Sequence, residues 1–246
     1  MISAHIDIDL SRFEAKLTSA QRRELPKAEV LALNWLADDG MRAVRAKMKV
    51  VFDRPTARAI RGIVYEKASE ANRVSAVVVG GSGRKGGLPA AAYLGPEIHG
   101  GMRRHKSFEE QLVGRGLMAR NHVAVPADRT PLDRYGNMTQ GFLNRVMRDL
   151  QIDYRGAGAT RVSSGSTRRK RKAKPYQFFV PQGRDDLFPG VWYSGRGDRE
   201  FYPVILFVRA TSYSERLKLN EIVSELVRQK KDRTFSRAFR KAYANS

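Results

Sequence analysis

Three groups of residues have types and spacings that could do chemistry, and the first is a glycine-rich loop. Residues 80–88 read GGSGRKGGL. A phosphate-binding loop needs two glycines that bracket four residues, followed by Lys and then Ser or Thr, because backbone amides hold the phosphates, the Lys meets their charge and the hydroxyl meets the magnesium. Residues 81–86 supply the bracket, but Gly-Leu follows where Lys and a hydroxyl belong. We therefore expect no nucleotide site but an assembly loop, a flexible tip that orders against a neighbour, with Arg84 and Lys85 contacting acidic groups.

The second group is a set of three histidines, His99, His105 and His122. Their spacing fits neither the HExxH zinc motif nor a zinc pattern of cysteines and histidines, so surface or hydrogen-bonded histidine is the default interpretation. The chain has no cysteine, which excludes disulfides and thiolate metal sites and favours a reducing compartment. We expect neither a metal nor another cofactor.

The third group is a run of basic side chains inside residues 153–175. This segment holds eight basic residues, one acid, six Gly or Ala and a Ser/Thr cluster, with almost nothing to bury, so it should not fold by itself. We expect a flexible linker or arm. Runs of this kind are usually either solvated tails or contacts with nucleic acid. The candidate contacts with nucleic acid or with an acidic partner are Arg168, Arg169, Lys170, Arg171, Lys172 and Lys174.

The overall charge points in the same direction. Lys and Arg number 46 against 25 acidic residues, giving a net charge of +21 and a pI near 10.6. Such a balance favours a polyanionic neighbour, either nucleic acid or an acidic protein surface, and the bland alternative is an inert basic surface. The 41% of hydrophobic residues can form the core of one large or two small domains. We expect no secretory signal and no contact with a membrane, because no window approaches the ~20 apolar residues of a membrane span.

The elements that must position these groups begin with a long helix. Apolar residues from Val30 to Met48 follow the 3–4 spacing of one helix face. A shorter helix should precede it, opened by Ser11 and Glu14 as a capping box and interrupted by Pro26, which cannot continue a helix. Further patterns predict a hairpin of strands at 63–68 and 74–79, a helix at 106–113 and a helix that begins after Asn137 or Thr139. Three later apolar runs predict strands at 177–180, 191–193 and 204–208, of which the last should be central in the sheet. A final helix should be opened by Ser212 and Glu215.

These elements predict an α+β fold, with long helices packed on an antiparallel β-sheet whose strands come from before and after the basic flexible linker. The expected boundaries are an N-terminal arm and short helix at 1–25, a helix and hairpin core at 26–152, the linker at 153–175, and strands with a long basic helix at 176–246. Three aromatic residues near the end of that helix are expected to bury against a neighbouring chain as an oligomer interface: Phe235, Phe239 and Tyr243.

Several motifs in this order resemble one known family. They are FDRPT at 52–56, the strand pair that follows, YLGPEIHGGMR at 93–103, LDRYGN at 132–137, PGVWYSG at 189–195 and YPVILFV at 202–208. Together with the long basic helix at the end, the chain from about Pro26 onward is similar to the minor tail protein Z group of long-tailed bacteriophages and prophages. The members of that group are virion parts at or near the joint between head and tail.

The function expected from these observations is structural. There is no nucleophile elbow, no HExxH and no complete phosphate loop, so we expect a protein that is not an enzyme. The resemblance implies a neck or tail protein of the virion, acting in tail completion or head-to-tail joining as part of a ring close to the DNA channel. It implies as partners the tail terminator, the head-tail connector, further copies of this chain in a homo-oligomeric ring, and phage DNA. The implied location is the virion, with host cytoplasm during assembly.

The alternative, which explains the charge alone, is a sequence-independent nucleic-acid-binding protein unrelated to virions. The sequence contains no helix-turn-helix, zinc-finger, RNA-recognition or KH signature that would support readout of bases.

Overall fold

The computed structural model describes residues 2–7, 18–80, 89–152, 177–181, 186–195 and 201–244. It contains both helices and antiparallel strands, which confirms the predicted α+β class. In chain order the described elements are β1 (Ile2–Ile6), α1 (Ser19–Val51), α2 (Ala57–Arg61), β2 (Ile63–Glu66), β3 (Ser75–Val79), α3 (Ala90–His99), α4 (Ser107–Gly114), β4 (His122–Pro126), α5 (Gln140–Asp149), β5 (Phe178–Phe179), β6 (Gly190–Ser194), β7 (Phe201–Arg209) and α6 (Leu219–Ala244).

The chain packs into two compact units that do not follow the boundaries expected from the sequence. Unit 1 combines Met1–Arg103 with Tyr213–Ser246, and unit 2 is the intervening Arg104–Ser212. The expected boundaries placed the final helix with the late strands because they are neighbours in sequence. Instead α6 packs with α1, far away in the chain.

Helix α1 is the longest element of unit 1 and runs through Pro26 without a break. The predicted interruption is therefore wrong. Proline removes one backbone donor and crowds the preceding turn, but Leu25 and Ala28 on either side of it are both buried against other parts of the unit. Side-chain packing stabilises the turn that proline weakens.

The buried face of α1 confirms the predicted apolar stripe. Val44 and Met48 have no exposed surface and pack on the first sheet with two further residues of the stripe, Leu33 and Ala37, and with Leu36, which the stripe did not include. That sheet has the order β1-β3-β2, and all its pairings are antiparallel. The predicted hairpin is confirmed as β2 and β3. Strand β1 was not predicted, although Ile2, Ala4 and Ile6 alternate as strand residues do.

Two polar side chains of α1 fix the ends of the β2 segment. Asn34 donates to the Ala68 carbonyl at 3.1 Å and accepts from the Ala68 backbone N–H at 2.9 Å. Arg45 donates to the Ile63 carbonyl through Nε at 3.0 Å and through a terminal nitrogen at 2.7 Å. These bonds satisfy backbone groups at a half-buried edge and set the position of the strand along the helix.

The segment before α6 is extended and tethered, whereas the sequence predicted a helix opened by Ser212 and Glu215. Tyr213 and Gly101 exchange two backbone hydrogen bonds at 2.8 and 3.0 Å. The backbone N–H groups of Arg216 and Leu217 both donate to the Glu97 carbonyl, at 2.9 and 2.8 Å. Because these donors are bonded to another segment, the helix begins only at Leu219.

Unit 2 is built on a second sheet of order β4-β7-β6-β5, again antiparallel. The prediction that β7 is central is confirmed, but the expected single sheet is replaced by two, and β4 was missed. Helices α4 and α5 contribute Phe108, Leu112, Phe142 and Met147 to the cluster that buries one face of this sheet. Thr139 caps α5, as predicted, by accepting from the backbone N–H of Phe142 at 3.4 Å.

A buried carboxylate links α4 to this sheet. Glu109 has no exposed surface, and its oxygens accept from the backbone N–H groups of Lys106 at 2.6 Å and of Ala124 at 2.8 Å. The first bond belongs to a capping box at the start of α4 and the second reaches β4. In the part of the chain that the structure describes, no helix is both long and apolar enough to cross a bilayer.

Candidate polyanion site

Two of the three sets of predicted site residues lie outside the described residues. These are the assembly-loop residues Arg84 and Lys85, and the arm residues Arg168, Arg169, Lys170, Arg171, Lys172 and Lys174. Their predicted contacts stay predictions.

The third set, the aromatic residues at the end of α6, lies largely inside unit 1. Phe235 is 8% exposed and packs in a cluster with Leu25 and Ala28 of α1, and Phe239 packs against the same cluster. The prediction that Phe235 buries mainly against a neighbouring chain is therefore wrong, whereas for the partly buried Phe239 it stays a prediction. The reason is the continuity of α1 through Pro26, which carries its first turns alongside the far half of α6. Tyr243 is 49% exposed, and its predicted role at an interface stays a prediction.

Helices α1 and α6 run antiparallel, and a basic cleft opens between them. Asp39 of α1 lies beside Lys230, while Leu25 lies beside residues near the other end of α6. The volume of this α1–α6 cleft is about 740 Å³. Its lining consists of Trp35, Asp38 and Asp39 from α1 and of Gln229, Lys230, Arg233, Thr234, Arg237, Arg240 and Lys241 from α6.

The cations of the cleft come from one face of α6, and two of them lie over an aromatic ring. Lys230, Arg233, Arg237 and Lys241 follow one another at intervals of three or four residues and so form one stripe, with Arg240 beside it. The guanidinium carbon of Arg237 is 4.9 Å from the centroid of the Trp35 ring, and Nζ of Lys241 is 5.6 Å from it. Cation–π attraction at these distances orders the two side chains.

The carboxylates of the cleft are already used in ion pairs. Asp39 accepts from Lys230 at 2.8 Å, and Asp38 pairs with Arg42 on the outside of α1 at 2.6 Å. No carboxylate among the described residues pairs with the remaining cations of the lining, which are Arg233, Arg237, Arg240 and Lys241. Like charges at i and i+4 repel each other, so a negatively charged ligand would relieve this repulsion.

Two of the three clustered histidines make local hydrogen bonds. The His105 ring donates through Nε2 to the backbone carbonyl of His122 at 2.8 Å, and the His122 ring bonds to the Asn121 side chain at 2.7 Å. Across the ranges that the structure describes, no three His, Asp or Glu side chains come together as ligands of a metal would.

Sequence reasoning missed the α1–α6 cleft although half of its signal was visible. The 3–4 spacing of cations from Lys230 to Lys241 marks one face of the last helix. What the sequence does not show is that Trp35, about two hundred residues away, lies beneath Arg237. An aromatic residue within a helical stripe is interpreted as core by default, and Trp35 is in fact half-buried.

Two of the motifs on which the expected resemblance to tail proteins rests hold local turns of the fold. In FDRPT, the Thr56 hydroxyl caps α2 by accepting from the Ala59 backbone N–H at 3.1 Å. In LDRYGN, the Asp133 carboxylate accepts from the backbone N–H groups of Tyr135 and Asn137 at 2.8 and 2.9 Å. Comparison with protein-family models, curated proteins and solved structures gave no match.

Proposed function

We propose that this chain is a non-catalytic assembly protein of the neck or tail of a long-tailed bacteriophage, acting in tail completion or head-to-tail joining within a ring close to the DNA channel. The observation that carries the proposal is the tether between the YLGPEIHGGMR motif and the basic helix. Glu97 holds Arg216 through two bonds of 2.7 Å, and Gly101 bridges Tyr213. The motif thus positions the helix that carries the α1–α6 cleft.

The buried polar groups also support a structural role. Glu109 bonds to two backbone N–H groups, Ser75 donates to the Glu66 carbonyl at 2.6 Å, and the Thr130 hydroxyl donates to the Val204 carbonyl. Within the described ranges, no buried side-chain nitrogen or oxygen lacks a hydrogen-bond partner. A catalytic group is usually a buried or perturbed polar group that folding does not use. These side chains are instead used to connect elements.

The test is deletion of the gene from a phage or inducible prophage that carries it. We expect separate heads and tails, or particles with incomplete joints, and a loss of infectious yield that the wild-type gene restores in trans. Electron microscopy of the lysate identifies the stage at which assembly stops. A normal yield of infectious particles from the deletion would refute the assignment to the virion.

A second candidate function is sequence-independent binding of nucleic acid outside any virion. The observation that favours it is the α1–α6 cleft, where four cations are not paired with a carboxylate of the described residues and could bind phosphates. The two candidates make different predictions for the deletion. Under the second, particle assembly is unchanged while the purified protein still binds nucleic acid.

A further inference from the structure

We propose that the α1–α6 cleft is a binding site for the phosphate backbone of duplex DNA, without preference for sequence. None of the residues of this cleft belongs to the arm at 168–174. The chemistry of the cleft is the same whether or not the protein belongs to a virion.

The charge of the cleft and of the whole chain fits this ligand. Five cations and two carboxylates line the cleft, and the carboxylates are paired with Lys230 and Arg42. The whole chain carries +21. Duplex DNA carries one negative charge per about 1.7 Å of its axis, which is a denser line of charge than the mixed surface of an ordinary protein offers. Long-range attraction and local contacts therefore favour the same partner.

The spacing of the cations suits an extended line of phosphates. Arg233, Arg237 and Lys241 are separated by four residues each, which corresponds to about 6 Å of rise per step along the helix. From Lys230 to Lys241 the stripe covers about 16 Å. A stripe of this length faces several phosphates of one strand, and each guanidinium can donate two parallel hydrogen bonds to one phosphate.

Trp35 favours contacts with the backbone over contacts with bases. Proteins that hold single strands stack bases on aromatic rings, but Arg237 and Lys241 already lie over this ring at 4.9 and 5.6 Å. The indole is therefore already in contact with cations. Contacts made only through cations and phosphates carry no sequence information, so we expect duplexes of different sequence to bind equally.

The experiment measures binding of fluorescent 20-base-pair duplexes by the full-length protein across a salt series. The cleft variant combines Arg233→Gln, Arg237→Gln and Lys241→Gln. The matched control removes three exposed cations that lie outside the cleft: Lys47→Gln, Lys49→Gln and Lys231→Gln. Both sets are also made in a chain whose six arm residues at 168–174 are changed to Ser, so that the arm contributes nothing.

Counterion release gives the expected size of the effect. The slope of log affinity against log salt is about −0.9 for each phosphate neutralised on duplex DNA, so the cleft variant should flatten the slope by about 2 to 3. The control variant should change it by less than about 1. Equal changes in the two variants would overturn the proposal, because the charge would then act as a general field rather than at the cleft.

Two further ligands identify other partner classes. If a single strand of equal length binds more tightly than the duplex and loses that affinity in the cleft variant, the duplex assignment is wrong. If poly-glutamate binding depends on the cleft while duplex binding does not, the partner is an acidic protein surface and the proposal is again overturned.

A variant that should bind more tightly distinguishes loss of the site from loss of folding, because a misfolded protein would not gain affinity. Asp39→Asn removes a carboxylate from the cleft and frees Lys230 from its 2.8 Å ion pair. We expect tighter duplex binding and a slope steeper by up to about 1. Glu70→Gln is the control, because it removes the same charge from an exposed hairpin turn. Unchanged or weaker binding by Asp39→Asn would count against the cleft as the site.

Discussion

Phe235→Ala is the sharpest test of how α6 is packed, because the sequence alone favoured an interface role for this residue. The ring is 8% exposed and packs on Leu25, Ala28 and Ala32. Two of these neighbours are alanines, which are too short to fill the space that the ring would leave. Truncation of a buried phenylalanine costs about 3–5 kcal/mol. We expect about 3 kcal/mol, at the low end, because one edge of the cluster is partly exposed.

The two tryptophans of the chain allow unit 1 to be measured alone. Trp35 lies in unit 1 and Trp192 in unit 2, so in a Trp192→Phe background the indole emission reports unit 1. With an m-value of about 1–3 kcal/mol per molar urea, a loss of 3 kcal/mol lowers the urea midpoint by about 1–3 M. Tyr243→Ala is the control, because its ring is 49% exposed and its loss should cost no more than about 0.5 kcal/mol.

The opposite pattern would refute the packing argument. If Phe235→Ala keeps the wild-type urea midpoint but abolishes association of the purified protein, the ring belongs to an interface between chains.

Three further predictions use other parts of the molecule. Gly190→Ala should destabilise unit 2 by about 2–3 kcal/mol, read from Trp192 emission in a Trp35→Phe background, because an added Cβ would overlap the Ile205 carbonyl oxygen. The pKa of Asp133 lies below its ordinary value because the backbone N–H of Asn137 donates to its carboxylate. The hydrogen-bonded turn should therefore keep its full stability above the ordinary pKa and lose it as the pH falls through the lowered pKa. A carbon-13 NMR titration of the Asp133 carboxyl group measures that pKa. Changing the six basic residues at 168–174 to Ser should flatten the salt slope of duplex binding by about 3 to 5, and an unchanged slope would show that the arm does not bind DNA.

The parts of the fold that could be predicted are those where one stretch of sequence determines its own structure. The stripe from Val30 to Met48 predicts the buried face of α1, and the double-sided apolar run at 204–208 predicts a central strand. The cap at Thr139 follows from a hydroxyl placed just before an apolar face. Each signal lies within about twenty residues, so no knowledge of distant packing was needed.

The parts that could not be predicted depend on contacts between distant segments. Pro26 favours a break when only neighbouring residues are considered, and packing against α6 overrides that preference. The start of α6 depends on Glu97, more than a hundred residues earlier, which binds the donors of Arg216 and Leu217. The α1–α6 cleft depends on both effects, because its two walls come from opposite ends of the chain.

The antiparallel pairing of α1 with α6 also determines when unit 1 can fold during synthesis. The ribosome synthesises all of Arg104–Ser212 after α1 and before α6. Unit 2 is therefore completely synthesised while unit 1 still lacks helix α6. At about 5–20 residues per second, the apolar side chains of α1 that will contact α6 wait roughly 10–40 s for their partner. During that interval Ala28 and Ala32, both fully buried in the finished fold, are open to other nascent chains. When many copies are made at once, we therefore expect chaperones to cover the exposed face of α1 during this interval. Without them, some α1 helices would pair with the α6 of another copy in a domain-swapped arrangement.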